Sequence, residues 1–198
     1  MTLSEYLETC LGTWAKRDAG DRLRNAALGI AGEAGEIVEV VKKSLYHGKL
    51  GDECRVLAQG EIGDLFYYII VYSHERGWLP ADLARTIGAE NEDWASIQSA
   101  VKRQTGNEDI FTLAMQLSAA SGKISSFTLN HIGSGVGSDK TSAESMLRLE
   151  EVSARLSLAG ALYAAIEIAN RFGLNAEEIA AFNASKLKAR HPNGWKVL

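Results

Sequence analysis

This sequence predicts an all-α fold, a helical bundle, and three observations predict it. Apolar residues recur at three- and four-residue steps almost throughout, the period of helices with one buried face. Only 2 prolines occur in 198 residues, and proline is the residue that interrupts a helix interior. No stretch alternates apolar and polar residues as a half-buried strand does. An apolar content of 46% allows one core or two small ones.

The elements follow in order. Leu3, Leu7, Cys10, Leu11 and Trp14 mark the buried stripe of a first helix. A second begins near Asp21, a capping residue, and runs to about Tyr46. His47-Gly48-Lys49 ends it, because glycine accepts left-handed backbone. A third spans about Asp52 to Arg76 and is closed by Gly77, and Pro80 suits the first position of a fourth. Residues 102–108 (KRQTGNE) read as a linker. A fifth helix covers about Glu108 to Asn130, the glycine- and serine-rich stretch His131 to Ser142 is loop, and a sixth covers Ala143 to Arg171. Asn175, with Glu178 three residues on, forms a capping box for a seventh.

The two halves read as related. Gly77-Trp78-Leu79 aligns with Gly173-Leu174-Asn175, and the same offset brings Tyr67 onto Tyr163, Ile70 onto Ile166 and Leu83 onto Ile179. Earlier, Gly35 meets Gly122 and Ile37 meets Ile124 at a shorter offset, with the glycine-serine loop absorbing the difference. Residues 1–101 and 108–198 are thus expected to be two related helical units forming an internal pseudo-dimer.

Net charge is −4 and no block of like charges stands out, which argues against a nucleic-acid partner. The apolar run Leu65 to Tyr72 (LFYYIIVY) is far short of the roughly 20 residues that span a bilayer. No signal peptide is evident, and the only cysteines, Cys10 and Cys54, read as reduced thiols. A cytoplasmic protein without a membrane partner is expected.

The chemistry-bearing segments are GEAGE (Gly32 to Glu36) and EIGD (Glu61 to Asp64). Each helical residue turns about 100°, so Glu33 and Glu36 share a face, as do Glu61 and Asp64. Consecutive helices with a short connection favour antiparallel packing, which would bring all four acids together. Four carboxylates in one space repel unless a cation joins them. Hard oxygen donors with no His or Cys suit Mg²⁺, with Mn²⁺ as an option. Gly32, Ala34, Gly35 and Gly63 are small enough for helix backbones to approach closely.

These blocks resemble a known family. NAALGIAGEAGEIVEVVKKSLYHG (Asn25 to Gly48), followed by EIGDLFYYI (Glu61 to Ile69), is similar to the MazG-like all-α nucleoside triphosphate pyrophosphohydrolases, whose signature is Glu-x-x-Glu followed by Glu-x-x-Asp. NASKLKARHPNGW (Asn183 to Trp195) looks like their C-terminal tail. The resemblance implies that Glu33, Glu36, Glu61 and Asp64 are metal-binding and catalytic. The substrate is then a nucleoside triphosphate, cleaved to monophosphate and pyrophosphate. Family members assemble as dimers or tetramers, so a homodimer is expected.

In the second half Ala120, Lys123, Ser157 and Gly160 stand opposite the four acids, so that half cannot form the same site. Lys186 and Arg190, four apart on one helix face, are candidate phosphate contacts. Asn25 and Lys43 share the Glu36 face and join them as substrate-binding candidates; His47, Tyr68 and Trp14 are weaker ones. Two other functions compete: a catalytically silent nucleotide-binding or interaction module, and a di-iron bundle. The latter usually carries Glu-x-x-His pairs, which these acids lack.

Overall fold

The computed structural model describes residues 1–14, 17–47, 51–104, 106–133 and 140–191, the side chains of 132–133 and 140–147 excepted. Among the described residues there are eight helices and no strand, in line with the all-α expectation.

Helix α1 (Leu3–Thr13) starts at Thr2, whose hydroxyl accepts from the Glu5 N–H while the Glu5 carboxylate accepts from the Thr2 N–H. Leu3, Tyr6, Cys10 and Thr13 are its buried positions, with Trp14 buried just beyond. Helix α2 (Ala19–Tyr46) is capped by Asp18 rather than the expected Asp21. Asp18 accepts from the Asp21 N–H at 3.0 Å, so the helix reaches one turn earlier than its apolar spacing reveals. His47 closes it; Gly48 and Lys49 lie outside the described residues.

Helix α3 (Asp52–Glu75) ends at Gly77, whose φ of 68° is the left-handed conformation glycine takes without penalty. Pro80 opens α4 (Pro80–Thr86) as predicted. The chain then turns into a separate α5 (Trp94–Gln104), which takes in the start of the expected linker: Lys102, Arg103 and Gln104 are helical. Three charged or polar residues ending an amphipathic helix read like linker because they face solvent. Helix α6 is Ile110–Gly133 and α7 is Lys140–Arg171; of the expected glycine-serine loop, 134–139 lie outside the described residues. Asn175 caps α8 (Ala176–Arg190) as expected, accepting from the N–H groups of Glu177 and Glu178; the cap half of the expected box is what the structure shows.

Helix α3 sits at the centre. It packs against α1, α2, α7 and α8, which is why LFYYIIVY is apolar on every face. Consecutive helices pair, α2 with α3 and α6 with α7, and α2 also packs on α6. Among the described residues one apolar core runs from Leu3 to Leu187. At its centre Phe66 stacks on Trp94 with ring centroids 4.5 Å apart, and Tyr6 meets the Trp94 ring edge-on. Within α7, Arg148–Arg171 is long and apolar enough to cross a bilayer, unlike the shorter Leu65 to Tyr72 run, but 67% of its apolar 18-residue window is buried inside the protein, as in a core helix. Cys10 and Cys54 are both buried and unbonded to each other.

Candidate metal centre

The site grows from the antiparallel register of α2 and α3. The Tyr68 ring of α3 lies against Gly29 of α2: a Cβ there would sit 2.3 Å from the ring. Four residues forward on α2 is Glu33 and four back on α3 is Asp64. Three further forward is Glu36 and three further back is Glu61. The acids therefore face one another because both helices advance in matched steps.

Donor oxygens of Glu33, Glu61 and Asp64 all lie within 4.8 Å of one another, the one such His/Cys/Asp/Glu group among the described residues. All three side chains are half-buried, whereas Glu36 is exposed at the rim. The crowding is visible in their acidities. Burial, then the carboxylates of Asp64, Glu36 and Glu61, push Glu33 up to about 7 from its ordinary 4.5, against an opposing pull from Lys186. Glu61 is raised too, by burial first and then by Glu36 and Asp64. Glu36 thus belongs to the same electrostatic cluster, although its oxygens are not in the close triad.

Helix α8 supplies the other wall. The Asn183 amide donates from Nδ2 to Asp64 Oδ1 at 2.7 Å, and Lys186 Nζ donates to Asp64 Oδ2 at 2.5 Å. Helix α8 can come this close because Gly63 has no side chain: a Cβ there would lie 3.1 Å from Asn183 Cβ. From α1, the buried Tyr6 hydroxyl donates to Asn183 Oδ1 at 2.7 Å. Arg190, one turn beyond Lys186, is exposed and lies near enough to Tyr68 to favour its ionised form, though burial dominates and raises that phenol overall.

The remaining candidates are scattered. Lys43 is 3.8 Å from Glu39 in an i,i+4 pair, and Asn25 is exposed one turn before Gly29. His47 is an exposed helix cap. Trp14 is a core residue: it is 7% exposed, and its indole N–H donates to Glu75. Pro192 to Trp195 of the tail segment lie outside the described residues.

The glycines around the acids do not all admit a neighbouring helix. Gly32 and Gly35 are exposed with open space where a Cβ would go, so neither admits a neighbouring helix. Close approach occurs at Gly63, as expected, and at Gly29, which was not singled out. Asn183 and Tyr6 were missed as well. A signal for Asn183 existed: asparagine is a poor helix-interior residue, and it stands three positions before Lys186, on the same face. Nothing local distinguishes Tyr6 from an ordinary core aromatic.

Chemically, the half-buried acidic triad could hold a metal ion. Its donors are all hard oxygens, and burial and the neighbouring carboxylates weaken Glu33 and Glu61 as acids, a crowding that a divalent cation would relieve. No family model matches the chain, and no curated protein or solved structure matches it significantly.

Proposed function

We propose that this protein is a magnesium-dependent nucleoside triphosphate pyrophosphohydrolase. The observation that carries the reading is the convergence of Glu33, Glu61 and Asp64 from two helices, with the Lys186 ammonium beside them. The short Glu-x-x-Glu and Glu-x-x-Asp signature of the MazG-like enzymes falls on these same residues.

Glu33, Glu36, Glu61 and Asp64 would hold the ion, Mg²⁺ or Mn²⁺. When bound, it supplies charge neutralisation for the triphosphate and orients a water for in-line attack. Lys186 and Arg190 line the α8 side, where phosphate oxygens need counter-charge. Water adds to the α-phosphorus and its proton passes to a free carboxylate oxygen of the acidic set. The bond from the α-phosphorus to the bridging oxygen breaks, releasing nucleoside monophosphate and pyrophosphate.

In this reading residues 1–101 form the catalytic unit and 108–198 a supporting one, an internal pseudo-dimer. The two helix ends that the alignment pairs close alike, in a glycine closure common to many helices that also ends α4 at Gly88. Trp78 N donates to Ser73 O and Gly77 N to His74 O, while Leu174 N donates to Ala169 O and Gly173 N to Asn170 O. Both glycines are left-handed, at φ 68° and 66°. The supporting unit lends Asn183 and Lys186 to the site.

The test is incubation of pure protein with Mg²⁺ and a panel of ribo- and deoxyribonucleoside triphosphates, reading pyrophosphate. Release that stops on chelation is expected. Nucleotide binding without release from any member of the panel would favour a silent binding module instead.

A further inference from the structure

We propose that Tyr6, on α1, is a positioning residue that fixes the Asp64 carboxylate by holding the Asn183 side chain in the amide orientation that presents Nδ2 to it. This rests on the metal-site reading above and deepens it.

An asparagine amide is nearly isosteric end for end, with a donor at Nδ2 and an acceptor at Oδ1. Beside an anionic carboxylate only one orientation is tolerable, the one that presents Nδ2. Asn183 is fully buried, so no water can compensate for the wrong one. The Tyr6 hydroxyl, also fully buried, has one proton and gives it to Asn183 Oδ1 at 2.7 Å; its contact with the Gly63 carbonyl oxygen is longer, 3.4 Å. That assigns Oδ1 to the tyrosine side and leaves Nδ2 for Asp64 Oδ1. Burial also keeps the phenol protonated far above neutral pH, so it remains a donor wherever the protein is folded.

The two oxygens of Asp64 are thereby made unequal. Oδ1 is tied to a fully buried group locked from behind. Oδ2 is held by Lys186, whose side chain is 20% exposed, so that solvent or an ion can take its place. Tyr6 thus keeps Oδ2 available to an incoming cation. Without the phenol, the buried Asn183 Oδ1 is left without its donor, the amide loses its fixed position, and the carboxylate loses its anchor.

Outer-shell partners of metal ligands typically contribute 10–100-fold in affinity. Tyr6 acts one bond further out, so Tyr6→Phe should weaken Mn²⁺ binding about tenfold, measured by electron paramagnetic resonance or calorimetry at 25 °C. Asn183→Ala should do the same, and the double variant should be no weaker than either single one. A purely structural role would lower stability in chelator yet leave affinity per folded molecule unchanged. Installing 4-aminophenylalanine at position 6, which restores a donor in place of the hydroxyl, should recover the affinity, and it serves as the probe if Tyr6→Phe does not fold. Unmodified protein that binds no Mn²⁺ would overturn the metal site itself. Parent-like affinity in Tyr6→Phe, or additive losses in the double variant, would overturn the positioning role alone.

Discussion

Glu33→Gln should make the metal-free protein more stable at pH 8, although it removes a proposed ligand. Folded Glu33 titrates near 7, raised first by burial and then by Asp64, Glu36 and Glu61. In the unfolded chain it titrates near 4.5. The folded state therefore holds this proton more tightly, so stability falls as pH rises from 4.5 through 7 and levels off above that. At full strength that gap corresponds to about 3 kcal/mol. Glu33 is only half-buried and solvent screens the cluster, so about 1–2 kcal/mol remains. Glutamine keeps the shape and carries no charge, so the variant escapes the penalty. For a chain of this size the gain is about 3–6 °C in Tm. The assay is thermal unfolding in chelator at pH 4.5 and pH 8, parent against variant. The variant should match the parent at pH 4.5 and exceed it at pH 8. Repeating the pH 8 scan in excess Mg²⁺ should reverse the order, since only the parent gains binding free energy, about 2.7 kcal/mol at a hundred times Kd. A variant no more stable than the parent at pH 8 in chelator would refute the claim that the acids crowd one another.

Other outcomes follow from the same geometry. Glu36→Ala or Asp64→Ala should abolish pyrophosphate release at limiting Mg²⁺ with the far-ultraviolet circular dichroism unchanged; near-normal turnover in either would remove that residue from the site. Gly29→Ala drives a methyl into the Tyr68 ring and should cost about 1–3 kcal/mol in urea unfolding. Gly35→Ala, with open space around it, should instead gain about 1 kcal/mol in the same assay. Glu75→Ala leaves the Arg22 guanidinium and the Trp14 indole N–H without their shared acceptor, each now 2.8 Å from it. Unfolding free energy should fall by about 2–3 kcal/mol.

Much of the site was legible because it follows helical arithmetic. Residues three apart share a face in any α-helix, so the pairing of Glu33 with Glu36 and of Glu61 with Asp64 needs no coordinates. The same holds for Lys186 with Arg190. Helix ends were readable where a residue has one physical use there, as with Gly77, Pro80 and Asn175. They were misread where the signal is shared. Asp18 and Asp21 are equally good caps on paper, and Lys102 to Gln104 look alike as linker or as the wet end of a helix. The glycines illustrate the same point. Whether a missing Cβ admits a neighbour depends on what lies opposite, which separates Gly29 and Gly63 from Gly32 and Gly35.

Local sequence alone determined the helical class, most helix boundaries and which acids share a face, because these depend on spacing within one element. Tertiary structure alone decided which faces meet. It set the matched steps of α2 and α3 that bring Glu33 to Asp64, and it laid α8 against Gly63 so that Asn183 and Lys186 reach the same carboxylate. It also drew Tyr6 from α1 into that contact across 177 residues of chain. Such contacts arise from packing between elements distant in sequence, and spacing along the chain carries no record of them.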